Sequence, residues 1–291
     1  MILIAFAAFS AMTIQASDSL RDEINRRIEA TPGAVVAVSF EDLQTGQKTD
    51  INADTVFHAA STMKIPVMIE VLRRTQLGAF SLDQEILLIN QFSSLADGSP
   101  FSLNKADDED TALYALVGTR VPVRDLLRRM ITRSSNLATN QLIALVGAAN
   151  VTAMARTVGA TRMQVLRGVE DQKAFDAGII NTTTSADLAT LLRQIEQGNA
   201  LSAAASREMK DILLAQEVND GIPAGLPPGT PVAHKTGEIT AVSHDAAVVY
   251  PPGRKPYVLV VLTRGIKDPA VSATLIADIS RIVYAYVTGA H

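Results

Sequence analysis

Ser61-Thr62-Met63-Lys64 places a hydroxyl and an amine three residues apart at the head of an apolar run containing Ile65, Met68, Ile69 and Leu72. Residues at that spacing share one face of a helix. An alcohol is a poor nucleophile until a base takes its proton, and a lysine amine becomes such a base once burial and a neighbouring cation lower its pKa. The N–H groups and positive dipole end of a helix start also suit the oxyanion that acyl transfer creates. Alone, the tetrapeptide is equally ordinary helix punctuation, because serine is a favoured N-cap.

Two further polar clusters change its weight. Ser134-Ser135-Asn136 precedes a helical pattern that continues Leu137-Ala138-Thr139-Asn140-Gln141-Leu142, and Lys235-Thr236-Gly237 ends a strand that begins Pro231-Val232-Ala233. A glycine there lets a substrate lie close along the strand edge. The Ser243, His244 and Asp245 run does not form a relay, because neighbouring strand residues point to opposite faces. By the same rule His234 faces away from whatever Lys235 faces. His58 is expected to pack or cap, and Arg264, at a strand end, to assist carboxylate binding.

With these three clusters in this order, the sequence resembles the penicillin-recognising serine hydrolases, class A β-lactamases in particular. The resemblance spans the chain from its first helix to its last and implies a β-lactamase/transpeptidase-like fold. It implies Ser61 as the acylated nucleophile, Lys64 as its proton acceptor, and Ser134 as the hydroxyl that relays a proton to the leaving nitrogen. Asn136 would hold the substrate's side-chain carbonyl, while Lys235 and Thr236 would meet its carboxylate. The oxyanion hole would be the N–H of Ser61 with that of Glu238, the residue after Gly237. The family usually carries Asp in the middle of the second cluster, where this chain has Ser135.

The loop after Arg162 departs further. The family has a Glu there, with an Asn four residues later, to position the water that releases the acyl group. Here Glu170 falls at about the right place, but position 174 is Ala. Glu170 is therefore a candidate base, with Asp171 a third possibility, and the alternative is that Glu170 and Asp176 pair with Arg162 or Arg167 to close the loop. If no carboxylate reaches the acyl carbonyl through one water, the protein is a D,D-peptidase or esterase of the penicillin-binding type, or a slow lactamase. A binding protein for β-lactams or cell-wall peptides that is acylated without turnover is the other alternative.

The elements that must position these groups follow from hydrophobic period. Leu20, Ile24 and Ile28 mark an amphipathic helix ended by Pro32-Gly33, and 34–40 with a turn at 44–46 reads as a hairpin. From Ser61 to about Ala215 the spacing is helical, and from Thr230 it returns to strands, with Pro251 to Pro256 as a turn and a closing helix over 269–287. Strands at both ends and helices between them predict an α/β protein: an antiparallel sheet flanked by the terminal helices, packed against an inserted all-helical lobe. The boundaries are 17–57 with 216–291 for the α/β lobe and 58–215 for the helical lobe, making one catalytic domain over 17–291. The acidic run Asp107 to Asp110 reads as a solvated loop.

Composition removes rival functions. The 291 residues include no Cys, which excludes disulfides, thiol nucleophiles and thiolate metal sites. The four His, at 58, 234, 244 and 291, have no metal-binding spacing, so no metal or organic cofactor is expected. A net charge of -4 lacks the positive field that captures nucleic acid. Residues 1–16 read as a secretory signal peptide cleaved after Ala16, although no Lys or Arg precedes its apolar run; the alternative is a first core element. No other segment approaches a membrane span. The expectation is a monomeric periplasmic or secreted protein acting on a small molecule.

Overall fold

The computed structural model describes residues 19–289, so the anticipated signal peptide lies outside the described residues. Five strands form the main sheet: β1 (Val35–Asp42), β2 (Lys48–Ile51), β3 (Val232–Ile239), β4 (Val242–Val249) and β5 (Tyr257–Arg264). Their order across the sheet is β2-β1-β5-β4-β3, with every pairing antiparallel. The N-terminal hairpin thus docks edge to edge on the C-terminal meander through β1 and β5, Val35 opposite Arg264 and Asp42 opposite Tyr257.

Both faces of this sheet are covered, which explains why β5 reads Tyr-Val-Leu-Val-Val-Leu without polar alternation. Val258, Val260 and Leu262 face the helical lobe and join its core. Tyr257, Leu259 and Val261 face the other way, onto Leu20 and Ile24 of α1 (19–29) and Leu275, Ile279 and Val283 of α9 (Pro269–Thr288). The expected layering of terminal helices, sheet and inserted helices is what the chain builds.

The inserted lobe contains α2 (Lys64–Gln76), α3 (Val123–Thr132), α4 (Asn136–Val146), α5 (Ala148–Val158), the short α6 (Gln172–Asp176), α7 (Ser185–Glu196) and α8 (Ala203–Leu214). Helix α2 is the hub, with every residue from Lys64 to Leu72 buried. Its buried Glu70 is tied to Arg73 and Arg74, at 2.6 and 2.9 Å, one turn further on. A charge so placed is tolerated because it is paired.

Two expectations need correction. The first cluster does not lie in one α-helix: Ala60–Met63 is a 3-10 turn, and the α-helix begins at Lys64. Nor is the acidic run a solvated loop. Asp108 and Asp110 are buried at 4% and 2% exposure, and Asp110 binds Arg129 at 2.7 Å. Only Asp107 and Glu109 face solvent. A run of four acids had to be read as one unit in the sequence, whereas the backbone turns alternate members inward to partners distant in the chain.

Close approach of the 3-10 turn Ile222–Gly225 to α9 admits no side chain at Gly225, where a Cβ would lie 2.0 Å from the Ala277 carbonyl oxygen. Gly225→Ala is expected to destabilise the protein by about 1–3 kcal/mol, as overpacking against backbone does. Denaturant unfolding should show a lower midpoint at unchanged slope; an unaltered midpoint would contradict the packing described.

Candidate active site

Ser61 sits on the 3-10 turn between sheet and helical lobe. The turn is held by the N–H of Ala59 to the Asn181 carbonyl (2.8 Å), that of Ala60 to His58 Nδ1 (3.0 Å), and the Thr62 hydroxyl to the Ala59 carbonyl (2.6 Å). Edge strand β3 runs directly past it. A Cβ at Gly237 would stand 2.9 Å from the Ser61 nitrogen and 3.0 Å from that of Thr62, so this position requires glycine. The approach brings the backbone after Gly237 alongside the Ser61 N–H, within one cavity wall.

Lys64, fully buried at the first turn of α2, donates to the Ser134 carbonyl (2.5 Å), the Ser134 hydroxyl (3.1 Å) and Asn136 Oδ1 (2.9 Å). From the opposite wall Lys235, also fully buried, donates to the same Ser134 hydroxyl (3.0 Å) and to the Thr236 carbonyl (2.8 Å). Two amines therefore converge on one oxygen. Neither makes a salt bridge among the described residues. Burial, and next the charge of Lys235, hold Lys64 well below the usual lysine range, while burial brings Lys235 down to about 7. The expected hydrogen bond between Ser61 and Lys64 is not formed: Lys64 is occupied by Ser134 and Asn136, and the Ser61 hydroxyl has no partner among the described residues.

The second cluster works as a corner. Ser134 adopts a left-handed backbone with φ of 56°, and Ser135 caps α4 by accepting from the Ala138 N–H at 3.3 Å. The corner turns Ser134 and Asn136 into the cleft and Ser135 into the core. Asp108 braces it from outside the cluster: its Oδ2 accepts the N–H groups of Asn136 (3.0 Å) and Leu137 (2.9 Å) and the Tyr114 hydroxyl (3.0 Å). A carboxylate is thus present at the helix start although the cluster itself has none, and it suits the positive end of the helix dipole.

Glu170 faces the same cleft. Its Oε1 accepts from Asn136 Nδ2 at 3.0 Å, and its backbone is left-handed with φ of 61°. Asn140, one turn beyond Asn136, clamps the loop by donating to the Val169 carbonyl (3.0 Å) and accepting from its N–H (2.7 Å). Gly168 must be glycine, since a Cβ would meet Asn140 Oδ1 at 2.3 Å. The ion-pair alternative does not occur: Arg167 donates to the carbonyls of Ile179 and Gly168, Arg162 to that of Asp54, and Asp176 accepts from Gln172. Asp171 is occupied in capping α6 and binding Ser94 and Leu95. Burial, followed by the charges of Asp107 and Asp108, raises the Glu170 carboxyl above its ordinary pKa.

The remaining candidates are structural. His234 meets Asp245 at 3.0 Å and Asn219 at 3.2 Å, away from Lys235. His244 donates from Nε2 to the His58 carbonyl at 2.8 Å, and burial depresses it to about 4. Arg264 lies over the Phe57 ring at 5.0 Å and binds the Val56 carbonyl, so the expected carboxylate contact is not its place. Asp108, Asn140 and Asn181 escaped the sequence reading; Asn140 alone had a local signal, as a polar residue one turn after Asn136 on a helix otherwise buried.

Two cavities open on Ser61. One of 530 Å³ runs towards His58, Arg167 and Phe175, and one of 310 Å³ towards Ser134, Thr236 and Asp220. Ser61, Asn136, Glu170 and Glu238 line both. A cleft serine and two buried lysines in the seam of a helical lobe and an antiparallel sheet define the β-lactamase/transpeptidase-like class of serine hydrolases.

Comparison with known proteins narrows this. The chain belongs to the beta-lactamase enzyme family, whose model matches residues 19–287, and within it to the class A serine β-lactamases. It is 32% identical over 261 residues to beta-lactamase AST-1 of Nocardia asteroides, covering 88% of this chain and 80% of that protein. A mutant class A β-lactamase of the last common ancestor of Gram-negative bacteria superposes with a TM-score of 0.80 at 29% identity, over 94% of this chain and 100% of the other. A mutant of PBP-A, solved as an acyl-enzyme complex with penicillin G, superposes with a TM-score of 0.79 at 27% identity, covering 94% and 97%.

Removing the brace should tell on stability. Asp108→Ala leaves two helix N–H groups and a phenol without their acceptor, and is expected to cost at least about 2 kcal/mol. Asp108→Asn retains an acceptor and should lose less. Equal stability of Asp108→Ala and the parent in urea unfolding would remove Asp108 from this role.

Proposed function

We propose that the chain is a serine β-lactamase that opens the β-lactam amide through an acyl-enzyme on Ser61. The observation carrying this reading is the meeting of the Lys64 and Lys235 amines at the Ser134 hydroxyl beside Ser61. Two buried ammonium groups around one oxygen repel each other, so one amine is neutral near neutral pH and able to accept a proton. Lys64, lowered both by burial and by the charge of Lys235, takes that part.

In acylation the Ser61 proton passes to the Lys64 amine as Oγ bonds to the carbonyl carbon. Catalytic contacts are often longer before substrate binds, and Lys64 must exchange one of its three partners for the Ser61 hydroxyl. The carbonyl oxygen, now negative, lies between the N–H groups of Ser61 and Glu238. The ring C–N bond then breaks, its electron pair going to nitrogen, which takes the Ser134 proton; Ser134 is reprotonated from Lys64. Asn136 orients the substrate's amide side chain, and Lys235 with Thr236 receives its carboxylate. In deacylation Glu170 takes a proton from water as that water attacks the ester carbonyl; the ester C–O bond then breaks, its electron pair going to the Ser61 oxygen, which receives that proton back from Glu170 by way of Lys64. An exported, monomeric enzyme needing no metal or cofactor is part of this reading.

A second reading is favoured by Ala174. The residue four places after Glu170 is buried and apolar, so it adds no amide to Glu170 and Asn136 for positioning the water. Slow deacylation would give a penicillin-binding peptidase or esterase. The lifetime of the adduct separates the two: free protein regenerated within seconds of mixing with penicillin supports the lactamase, and a lasting mass increase supports the peptidase.

Ser61→Ala should form no adduct and lose nitrocefin turnover by at least about a thousandfold. Glu170→Gln should still acylate yet retain the adduct, visible by intact mass; parental turnover in this variant would remove Glu170 from the mechanism. Both bases act unprotonated, so hydrolysis should fall as pH drops through their pKa values. Because the Glu170 carboxyl is raised, the acid limb of kcat should lie above the ordinary carboxylate range and should vanish from single-turnover acylation in Glu170→Gln. A limb at the usual glutamate pKa would contradict the environment described.

A further inference from the structure

The 310 Å³ cavity beside Ser134 and Thr236 is where the proposed function seats the ring carboxylate of a substrate. Its walls are negative. Asp107, Glu109, Glu170, Asp220 and Glu238 line it, while no lysine or arginine does. Among the described residues none of these five carboxylates has a salt-bridge partner, for the nearby Arg129 and Arg133 are taken by Asp110 and Glu217. The one imidazole on the wall, His244, is neutral and committed to the His58 carbonyl. The carboxylates act on one another: after burial, Asp220 and Glu109 are what push the Glu238 carboxyl up.

A second observation comes from Ser243, which faces Glu238 across β3 and β4 and lines the same cavity. It is only 8% exposed, and its hydroxyl has no hydrogen-bond partner among the described residues. The hydroxyl is open to the cavity, where a ligand's polar atom can take the place of water.

We infer that this end of the cleft receives a positively charged substrate group, so that zwitterionic acyl donors are favoured over purely anionic ones. A low-dielectric pocket with walls of one sign focuses its field and concentrates the opposite charge. Lys235 still meets the substrate carboxylate from beneath, and the cation lies outward from it among Glu109, Asp220 and Glu238. The inference rests on the β-lactamase reading of the site and adds the charge of the substrate to it.

Cephaloridine and cephalothin test it, since they share one acyl side chain and differ at the 3′ position, a pyridinium against an acetoxy group. At low ionic strength kcat/KM for cephaloridine is expected to exceed that for cephalothin by about tenfold. The ratio should fall towards one in about 1 M salt, where charges are screened beyond about 3 Å, and in the double variant Glu109→Gln, Asp220→Asn. A ratio of one or less, or one indifferent to both salt and the double variant, would overturn the inference while leaving the β-lactamase reading intact. The salt series uses the parent protein and decides the matter even if the double variant fails to fold. Absence of turnover and of any Ser61 adduct with either compound would overturn the β-lactamase reading, and this inference with it.

Discussion

Two lysines without carboxylate partners, buried against one serine hydroxyl, are the constraint around which the molecule is organised. An amine removed from water is costly in its charged form, and Lys64 is placed at a helix start, where the dipole adds to the penalty. The same disfavoured charge keeps the amine neutral, with its lone pair free to accept a proton. Its three acceptors, two on Ser134 and one on Asn136, keep it fixed while it remains out of reach of solvent.

The scaffold concentrates backbone strain at this point. Of the described non-glycine residues with positive φ, Ala60, Ser134 and Glu170 adjoin or form the site. Each left-handed residue costs of order 1–3 kcal/mol and persists only where surroundings over-determine it. The surroundings are identifiable: His58 and Asn181 at the Ala60 turn, Asp108 at the Ser134 corner, and Asn140 at the Glu170 loop. Asp108 and Asn140 clamp through buried side chains bound to backbone, His58 through a half-buried ring and Asn181 through its own carbonyl, so the site's rigidity depends on residues outside the reacting set.

Much of this was legible in the sequence. The three polar clusters, the strands at both chain ends and the helical block between them each carry a local pattern, and the layering follows from the need to cover both faces of an apolar sheet. What remained hidden is long-range. Asp108 and Asp110 look identical to Asp107 and Glu109 as letters, and only the turn that carries them decides which are buried. Arg264 sits at a strand end near the cleft, yet the Phe57 ring beside it is contributed from the far end of the chain. The ion pair expected for Glu170 is absent because Asn181 and Arg167 close the loop through backbone contacts, an arrangement that leaves no periodic trace. The contact between Ser61 and Lys64, expected from spacing alone, is absent because the amine is committed to Ser134 and Asn136, both from a distant part of the chain.

The edge-to-edge docking of β1 on β5 also governs how the protein comes into being. The first strand can pair at once with β2 and pack on α1, but its other edge stays open until β5, more than 200 residues later, has been made. Pairings of such wide sequence separation are slow to form, because the loop must be closed before any contact rewards it. Completion of the five-stranded sheet is thereby postponed to the end of synthesis. Split into halves, neither fragment would contain a whole sheet, and the crevice would exist only where both were brought together again.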